Sequence, residues 1–541
     1  MPVDLPVNDR VVSNLADLLS RAAAESDRRV ALVDAETGRR VTWGELDDEV
    51  SRLAAGLSAM GLVAGYRVVI CVPNRVEFVT TYLAALRARL VAVPVNPRGA
   101  TGELVRTIAD CGARTVICDA STVTQVRSAV GGLADALRGA DQDLRERAVV
   151  PRIVVCDAPT VPGEVSYADL AVTTAKPTFT GEDAEALAVL LYTSGTSDQP
   201  RAAMLSHRAL AANVEQAAAV EPAIFTGDDV VLGVLPLFHV YGLNAVLGQV
   251  LRQQARLVVV DGFDVDGSLD IIEDEAVTVL PVAPPVFARW MSAEDLASRL
   301  SGVRLVLSGS APLSPELIES FTARTKIDVH QGYGLTEASP VVTSTLGSRI
   351  PKTGSVGSAL PGVSIKLVDE ADQDPAGEDA GEIHLRGANL FSGYWPDGVD
   401  GPGQDGWWPT GDVGFLDAEG DLFLVDRLKE LVIVSGFNVY PSEVEEVIME
   451  VDEVTEAAVI GTHDGQTGEA VVAYVKRSPY SSMSDGELVA AIVDHCANRL
   501  ARFKQPSAVN VVHELPHTVT GKVAKGRLRA AERRRALGLL E

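Results

Sequence analysis

Between Trp43 and about Gln331 the chain alternates short β-branched apolar runs with stretches whose apolar residues recur at helical spacing. Arg67 to Val72 precedes Phe78 to Arg89, Val91 to Val95 precedes Gly102 to Cys111, and Thr115 to Cys118 precedes Val123 to Leu137. Such alternation implies crossover helices laid over parallel strands. Leu257 to Val260, Val277 to Pro281, Val303 to Ser308 and Ile327 to His330 continue it, which predicts doubly wound α/β layers. From about Gly354 to Val425 the helical period fades into short alternating segments, Val363 to Val368, Gly381 to Leu385 and Asp421 to Val425, divided by Gly, Asp and Pro. That pattern predicts a β-rich subdomain. The last unit combines a helix after Pro441, strands Ala457 to Gly461 and Ala470 to Lys476, a helix from Asp485 to Leu500 and a strand Ala508 to Val512. The expected fold class is α/β: a large domain over residues 1–426, its β-rich part at about 354–425, then a small α+β domain over 427–541.

Two segments say more than fold. The apolar run Leu187 to Leu191 reads as a buried strand and Ser206 to Ala218 as a helix, which leaves Thr193, Ser194, Gly195, Thr196, Ser197 and Arg201 in the connection. Hydroxyls and backbone N–H groups at such a junction cradle anions, and Arg201 adds a fixed positive charge. No G-x-x-x-x-G-K-[ST] string occurs, so a Walker A geometry is excluded. The second segment, Val230 to Leu251, contains no Asp, Glu, Lys or Arg and is long enough to cross a bilayer. Pro236, His239, Asn244, Gln249 and glycines interrupt it, so the expectation is a strand, a turn and an apolar helix forming a buried wall beside an apolar pocket.

The 541 residues carry a formal charge of −27, which opposes nonspecific binding to nucleic acid or anionic membranes. The C-terminus is the exception, with Arg499, Arg502, Lys504, Lys522, Lys525, Arg527, Arg529 and Arg533 to Arg535. Those residues fit either a solvated helical face or a phosphorylated ligand. Cys71, Cys111, Cys118, Cys156 and Cys496 form no C-x-x-C pair, and the N-terminus lacks an apolar signal core. A cytoplasmic location is expected.

Five further motifs follow in order: Pro236-Leu-Phe-His-Val-Tyr-Gly242, Gln331-Gly-Tyr-Gly-Leu-Thr-Glu337, Trp408-Pro-Thr-Gly-Asp412, Asp426-Arg-Leu-Lys-Glu430 with Ser435-Gly-Phe-Asn-Val-Tyr-Pro441, and Leu515-Pro-His-Thr-Val-Thr-Gly-Lys522. Together with the Tyr192 to Arg201 loop they resemble the acyl-adenylate-forming superfamily over nearly the whole chain, and most resemble its fatty acyl-CoA synthetases. The resemblance implies a ligase that joins a carboxylate to the AMP part of ATP, releases pyrophosphate and passes the acyl group to coenzyme A. It implies that Lys522 bridges the carboxylate and the α-phosphate, that Thr336 contacts a phosphate, and that Glu337 holds Mg²⁺. Gly332, Tyr333 and Gly334 would line the adenine, and Asp412 and Arg427 the ribose. Lys429 matches the hinge about which a mobile small domain turns, and Ser435, Gly436 and Phe437 match the coenzyme A path. His239, Tyr241, Gly242 and Gly309 match the acyl pocket. Expected partners are therefore a hydrophobic small-molecule carboxylic acid, ATP and coenzyme A, with Mg²⁺, no nucleic acid and no integral membrane segment. Oligomeric state is open, with a homodimer among the options.

The chain departs from the family's phosphate loop at three positions: Asp198 replaces a glycine, Arg201 the lysine and Ala202 the final glycine. Asp198 sets a negative charge beside phosphates. Two alternatives to the working CoA ligase stay open: a ligase loading a carrier protein, and an impaired acyl- and nucleotide-binding homologue. A G-x-G-x-x-G string at Gly401 to Gly406 follows no strand and reads as a surface turn.

Overall fold

A computed structural model describes residues 13–172, 183–193, 201–311, 313, 315–369, 373, 375, 380–427, 430–434, 437–464, 468–518 and 521–536. The chain divides into two compact units, residues 1–364 with 386–408, and residues 365–385 with 409–541.

The first unit holds two seven-stranded sheets. One runs Val165–Ser166, Arg152–Val155, Thr115–Cys118, Arg67–Cys71, Val91–Pro94, Leu187–Thr193, Arg201–Ser206. The other runs Val329–Gln331, Leu305–Ser308, Val279–Val282, Val230–Gly233, Arg256–Val259, Val30–Asp34, Arg40–Thr42. Pairing is parallel within each sheet except at the last strand of each order, which is antiparallel. Helices cover the sheets, so the central strands are buried on both faces and need the continuous Val/Ile/Leu runs that the sequence shows. Val69, Val93, Val116 and Ile108 lie in one core, and Leu232, Val258, Phe287, Trp290 and Phe321 in the other. Asn74 stitches the two sheets: its amide donates to the Leu235 carbonyl at 2.8 Å and accepts from the Leu237 N–H at 2.9 Å.

Two elements differ from the sequence pattern. The alternation read as starting at Trp43 begins earlier, because Val30–Asp34 joins the second sheet with Leu32 beside Leu257. Residues Arg201–Ser206, of which 201–205 were expected in the loop and Ser206 at the start of the helix, form a strand antiparallel to Leu187–Thr193, with Thr193 opposite Arg201. Only His207–Ala218 is helical, capped by the Ser206 hydroxyl.

The uncharged stretch is strand Val230–Gly233, then a π-helical turn Tyr241–Val246 that continues into helix Leu247–Gln253. Among the described residues no helix is long and apolar enough to cross a membrane.

In the second unit, strands Ser364–Val368, Gly381–Arg386, Trp408–Leu416 and Asp421–Arg427 lie side by side in that order. Val454–Asp464, Gly468–Arg477, Val432–Val434 and Phe437–Val439 form the antiparallel body of another sheet, and Ala508–Val512 pairs parallel with Gly468–Arg477. Helices Pro441–Met449 and Asp485–Arg499 pack Val444, Ile448, Leu488 and Ile492 onto it. This second unit thus gathers residues 365–385 and 409–426 with the C-terminal residues.

Candidate active site

After strand Val329–Gln331 the chain folds back on itself over residues 332–343. The Tyr333 N–H donates to the Thr343 hydroxyl at 3.1 Å, and the Val342 N–H to the Tyr333 carbonyl at 2.9 Å. A Cβ at Gly332 would sit 2.6 Å from the Thr343 carbonyl oxygen, and one at Gly334 2.4 Å from that of Pro340, so the turn closes only with glycine at both places. Tyr333 is 7% exposed.

The 3₁₀ turn Thr336–Ala338 follows, at the carboxyl end of a parallel sheet where open α/β folds bind ligands. Its cap is Leu335, with no side-chain bond, so Thr336 is not an N-cap. Glu337 is 9% exposed and held at both ends. Its carbonyl accepts the Phe391 N–H at 2.8 Å, and its Oε1 accepts the Tyr394 hydroxyl at 2.6 Å. Burial, then the Glu337 charge, push the Tyr394 phenol well above its ordinary range, so it stays protonated and donates.

Arg201 reaches the same tyrosine. Its guanidinium carbon lies 3.7 Å from the centre of the Tyr394 ring, and its Nη2 pairs with Asp400 at 2.6 Å. Tyr192, near the end of strand Leu187–Thr193, donates to Asp110 Oδ2 at 2.6 Å, and Trp395 Nε1 donates to the Asp110 carbonyl at 3.0 Å. Tyr394, Asp400 and Asp110 were not singled out from the sequence. The Gly, Asp and Pro breaks of the 354–425 stretch and the Gly401 to Gly406 turn were the only marks near Tyr394 and Asp400, and a turn signal names no partner.

At the apolar wall Tyr241 and Gly309 come together: a Cβ at Gly309 would lie 2.9 Å from Tyr241 Cε1. Gly242 packs against Pro236, whose carbonyl oxygen would be 2.4 Å from an added Cβ. Burial raises the Tyr241 phenol above its usual range, as an apolar setting does. His239 is half-buried, and its Nδ1 accepts the Tyr241 N–H at 3.3 Å. Asn244, in the same π turn, donates to the Ser339 carbonyl at 2.7 Å, which ties the wall to the chain just beyond Glu337.

In the second unit Asp412 is 7% exposed and lies directly opposite Arg427 in the strand register. Gly411 takes a φ of +74° and donates to Glu382 Oε1 at 3.0 Å, while the Asp412 N–H donates to the Thr410 hydroxyl at 3.0 Å. Lys522 is exposed on a tight loop: Gly521 has φ +83°, and the Lys522 N–H donates to the Thr518 hydroxyl at 3.1 Å. Ser194, Gly195, Thr196, Ser197, Asp198, Lys429, Ser435 and Gly436 lie outside the described residues, and Phe437 is placed only as a strand position.

An α/β body of two seven-stranded sheets, a buried glutamate turn beyond one of them and a smaller C-terminal unit define an adenylate-forming type of protein. The chain belongs to the AMP-binding enzyme family: residues 19–395 match that family and residues 443–522 match the AMP-binding enzyme C-terminal domain. It is 34% identical to 4-coumarate–CoA ligase 5 of Oryza sativa subsp. japonica, over 98% of this chain and 95% of that one. Among solved structures it superposes on ATP-bound MatB from Rhodopseudomonas palustris with a TM-score of 0.83 at 32% identity, covering 96% of this chain and 99% of the other. The Mycobacterium tuberculosis fatty acyl CoA synthetase superposes at 0.73 with 28% identity, over 96% of this chain and 98% of the other.

Proposed function

We propose that this protein is an ATP-dependent acid–CoA ligase that activates a hydrophobic carboxylic acid, with an aryl acid favoured over a long alkyl chain. The observation that carries the ligase reading is the Glu337 turn, where a buried carboxylate and the Arg201 guanidinium flank one tyrosine beside the phosphate loop. In the first step a carboxylate oxygen of the acid attacks the α-phosphorus of ATP, and pyrophosphate leaves. Two anions must approach each other, so the site has to neutralise charge as it builds. Arg201 and the loop N–H groups serve the triphosphate, and Lys522 serves the carboxylate and α-phosphate. Asp412 accepts the ribose hydroxyls. In the second step the coenzyme A thiolate attacks the acyl carbon and AMP departs.

Glu337 fits as a magnesium ligand. A hard cation of this kind takes one or two carboxylates, with phosphates and water completing its shell. Bound there, Mg²⁺ would supply charge neutralisation at the phosphates.

The preference for an aryl acid departs from the fatty acid that the Ser435 to Pro441 motif implied. It rests on the Tyr241 ring packed against Gly309, which sets an aromatic side chain in the apolar stretch, and on relatives named for 4-coumarate, an aromatic acid. Acid-dependent ATP–pyrophosphate exchange, followed by direct detection of the CoA thioester, tests both statements across acetate, long-chain and aromatic acids. No exchange with any acid would sink the ligase; a best substrate among the long-chain acids would sink the aryl preference.

A further inference from the structure

The Arg201–Ser206 strand does not end the sheet's main-chain pairing. Met204 donates to the Gly393 carbonyl at 3.0 Å, Ser392 to the Met204 carbonyl at 2.9 Å and Trp395 to the Ala202 carbonyl at 2.9 Å. These bonds set Tyr394 opposite Ala203, beside the phosphate-loop arginine. The chain then turns sharply, with the Gly398 N–H on the Tyr394 carbonyl at 2.8 Å and the Tyr394 N–H on the Val399 carbonyl at 3.0 Å. Gly393, at φ +92°, allows the turn, because a Cβ there would lie 2.1 Å from the Gly398 carbonyl oxygen. Asp400 returns to pair with Arg201.

Resting on the ligase reading, we propose that Tyr394 is a positioning residue for nucleotide activation: its hydroxyl holds the Glu337 carboxylate while its ring seats the Arg201 guanidinium. One side chain thereby fixes the spacing between the anion and the cation that meet the triphosphate. A planar guanidinium stacks on an aromatic face in a way a compact ammonium does not, which accounts for arginine at this position. The phenol contributes the hydrogen bond, and only the ring contributes the seat, so the two roles separate by substitution.

Equilibrium binding of ATP to the full-length protein, with and without Mg²⁺, reads each role without turnover. Tyr394→Phe keeps the ring and loses the hold on Glu337. It is expected to weaken Mg²⁺–ATP about tenfold and to leave metal-free ATP nearly unchanged. Arg201→Lys keeps the charge and loses the stack, and is expected to weaken metal-free ATP by about fivefold. Thermal unfolding checks that each variant is folded. A Tyr394→Phe protein that loses affinity equally with and without Mg²⁺, or loses none, overturns the positioning role; an Arg201→Lys protein that binds as wild type overturns the ring seat. Wild type that binds Mg²⁺–ATP yet shows no acid-dependent exchange overturns the ligase reading alone, and the Tyr394 comparison still stands. Wild type that binds no Mg²⁺–ATP overturns both.

Discussion

Gly309 leaves just enough room for the Tyr241 ring, since an added Cβ would already press to 2.9 Å. Gly309→Val is therefore expected to push that ring into the acyl slot and lower kcat/KM for the acid by about tenfold or more, with KM for ATP unchanged. Steady-state kinetics with acid and ATP varied separately checks this. At Asp198 the expectation comes from charge alone: if the loop serves the triphosphate as proposed, Asp198→Gly removes a negative charge from it and should lower the apparent KM for ATP, whereas an unchanged KM would show that the loop works as it stands. His207 gives a pH signature. It is 3% exposed, its Nδ1 accepts the Leu15 N–H at 3.2 Å, and burial, then Arg89, push it down to about 4. Unfolded, it titrates near 6.5, so between these values the unfolded chain holds more protons. Its share of stability is complete above about pH 6.5 and is lost as pH falls through about 4, amounting to about 3 kcal/mol. Denaturant unfolding from pH 7 to pH 4 should show that slope, and His207→Gln should flatten it. Glu337 and Lys522 drew attention in the sequence through their motif neighbours. Tyr394 did not, because its role depends on two residues 57 and 193 positions away in the chain.

At the scale of elements, hydrophobic period located most strands and helices, and the misplacement at Arg201–Ser206 shows where period stops informing. Six residues mixing Arg, Ala, Met, Leu and Ser carry little β signal of their own. They become a strand because Leu187–Thr193 and residues 392–395 offer hydrogen bonds on either side. Helix Lys525–Ala536 is anchored in a similar non-local way. Lys525 pairs with Glu430 at 3.0 Å and Glu445 at 2.8 Å, and although burial works against its charge, the two carboxylates outweigh it and raise its pKa. Lys525→Met would remove the buried ammonium that both carboxylates pair with, so the second unit is expected to lose about 3 kcal/mol in denaturant unfolding of the full chain. Of the C-terminal basic residues, Lys525 is thus an internal clamp and Lys522 an exposed loop residue. The motif around Gly521 set Lys522 apart in the sequence, but nothing local marked Lys525 as an internal clamp, because Glu430 and Glu445 are far from it along the chain.

At the scale of the whole molecule, the two half-reactions of the proposed ligase make different demands on one acyl carbon: in that reading adenylation draws on Lys522, and thioester formation on a thiol path. Lys522→Ala is accordingly expected to reduce pyrophosphate exchange at least about a hundredfold, while thioester formation from supplied acyl-AMP and coenzyme A stays near wild type. Equal loss in both assays would remove the division of labour between the steps. The amino-acid sequence by itself determined the α/β class, the small C-terminal unit, the chemistry-bearing motifs and the membership of an adenylating family, because these depend on local period and on short runs of residues. Tertiary structure alone decided that the layers form two sheets, that Val30–Asp34 joins strands more than two hundred residues away, and that Arg201, Tyr394 and Glu337 meet. Pairing between distant strands and contacts between side chains are settled by the packing of the whole core, and no local pattern encodes them.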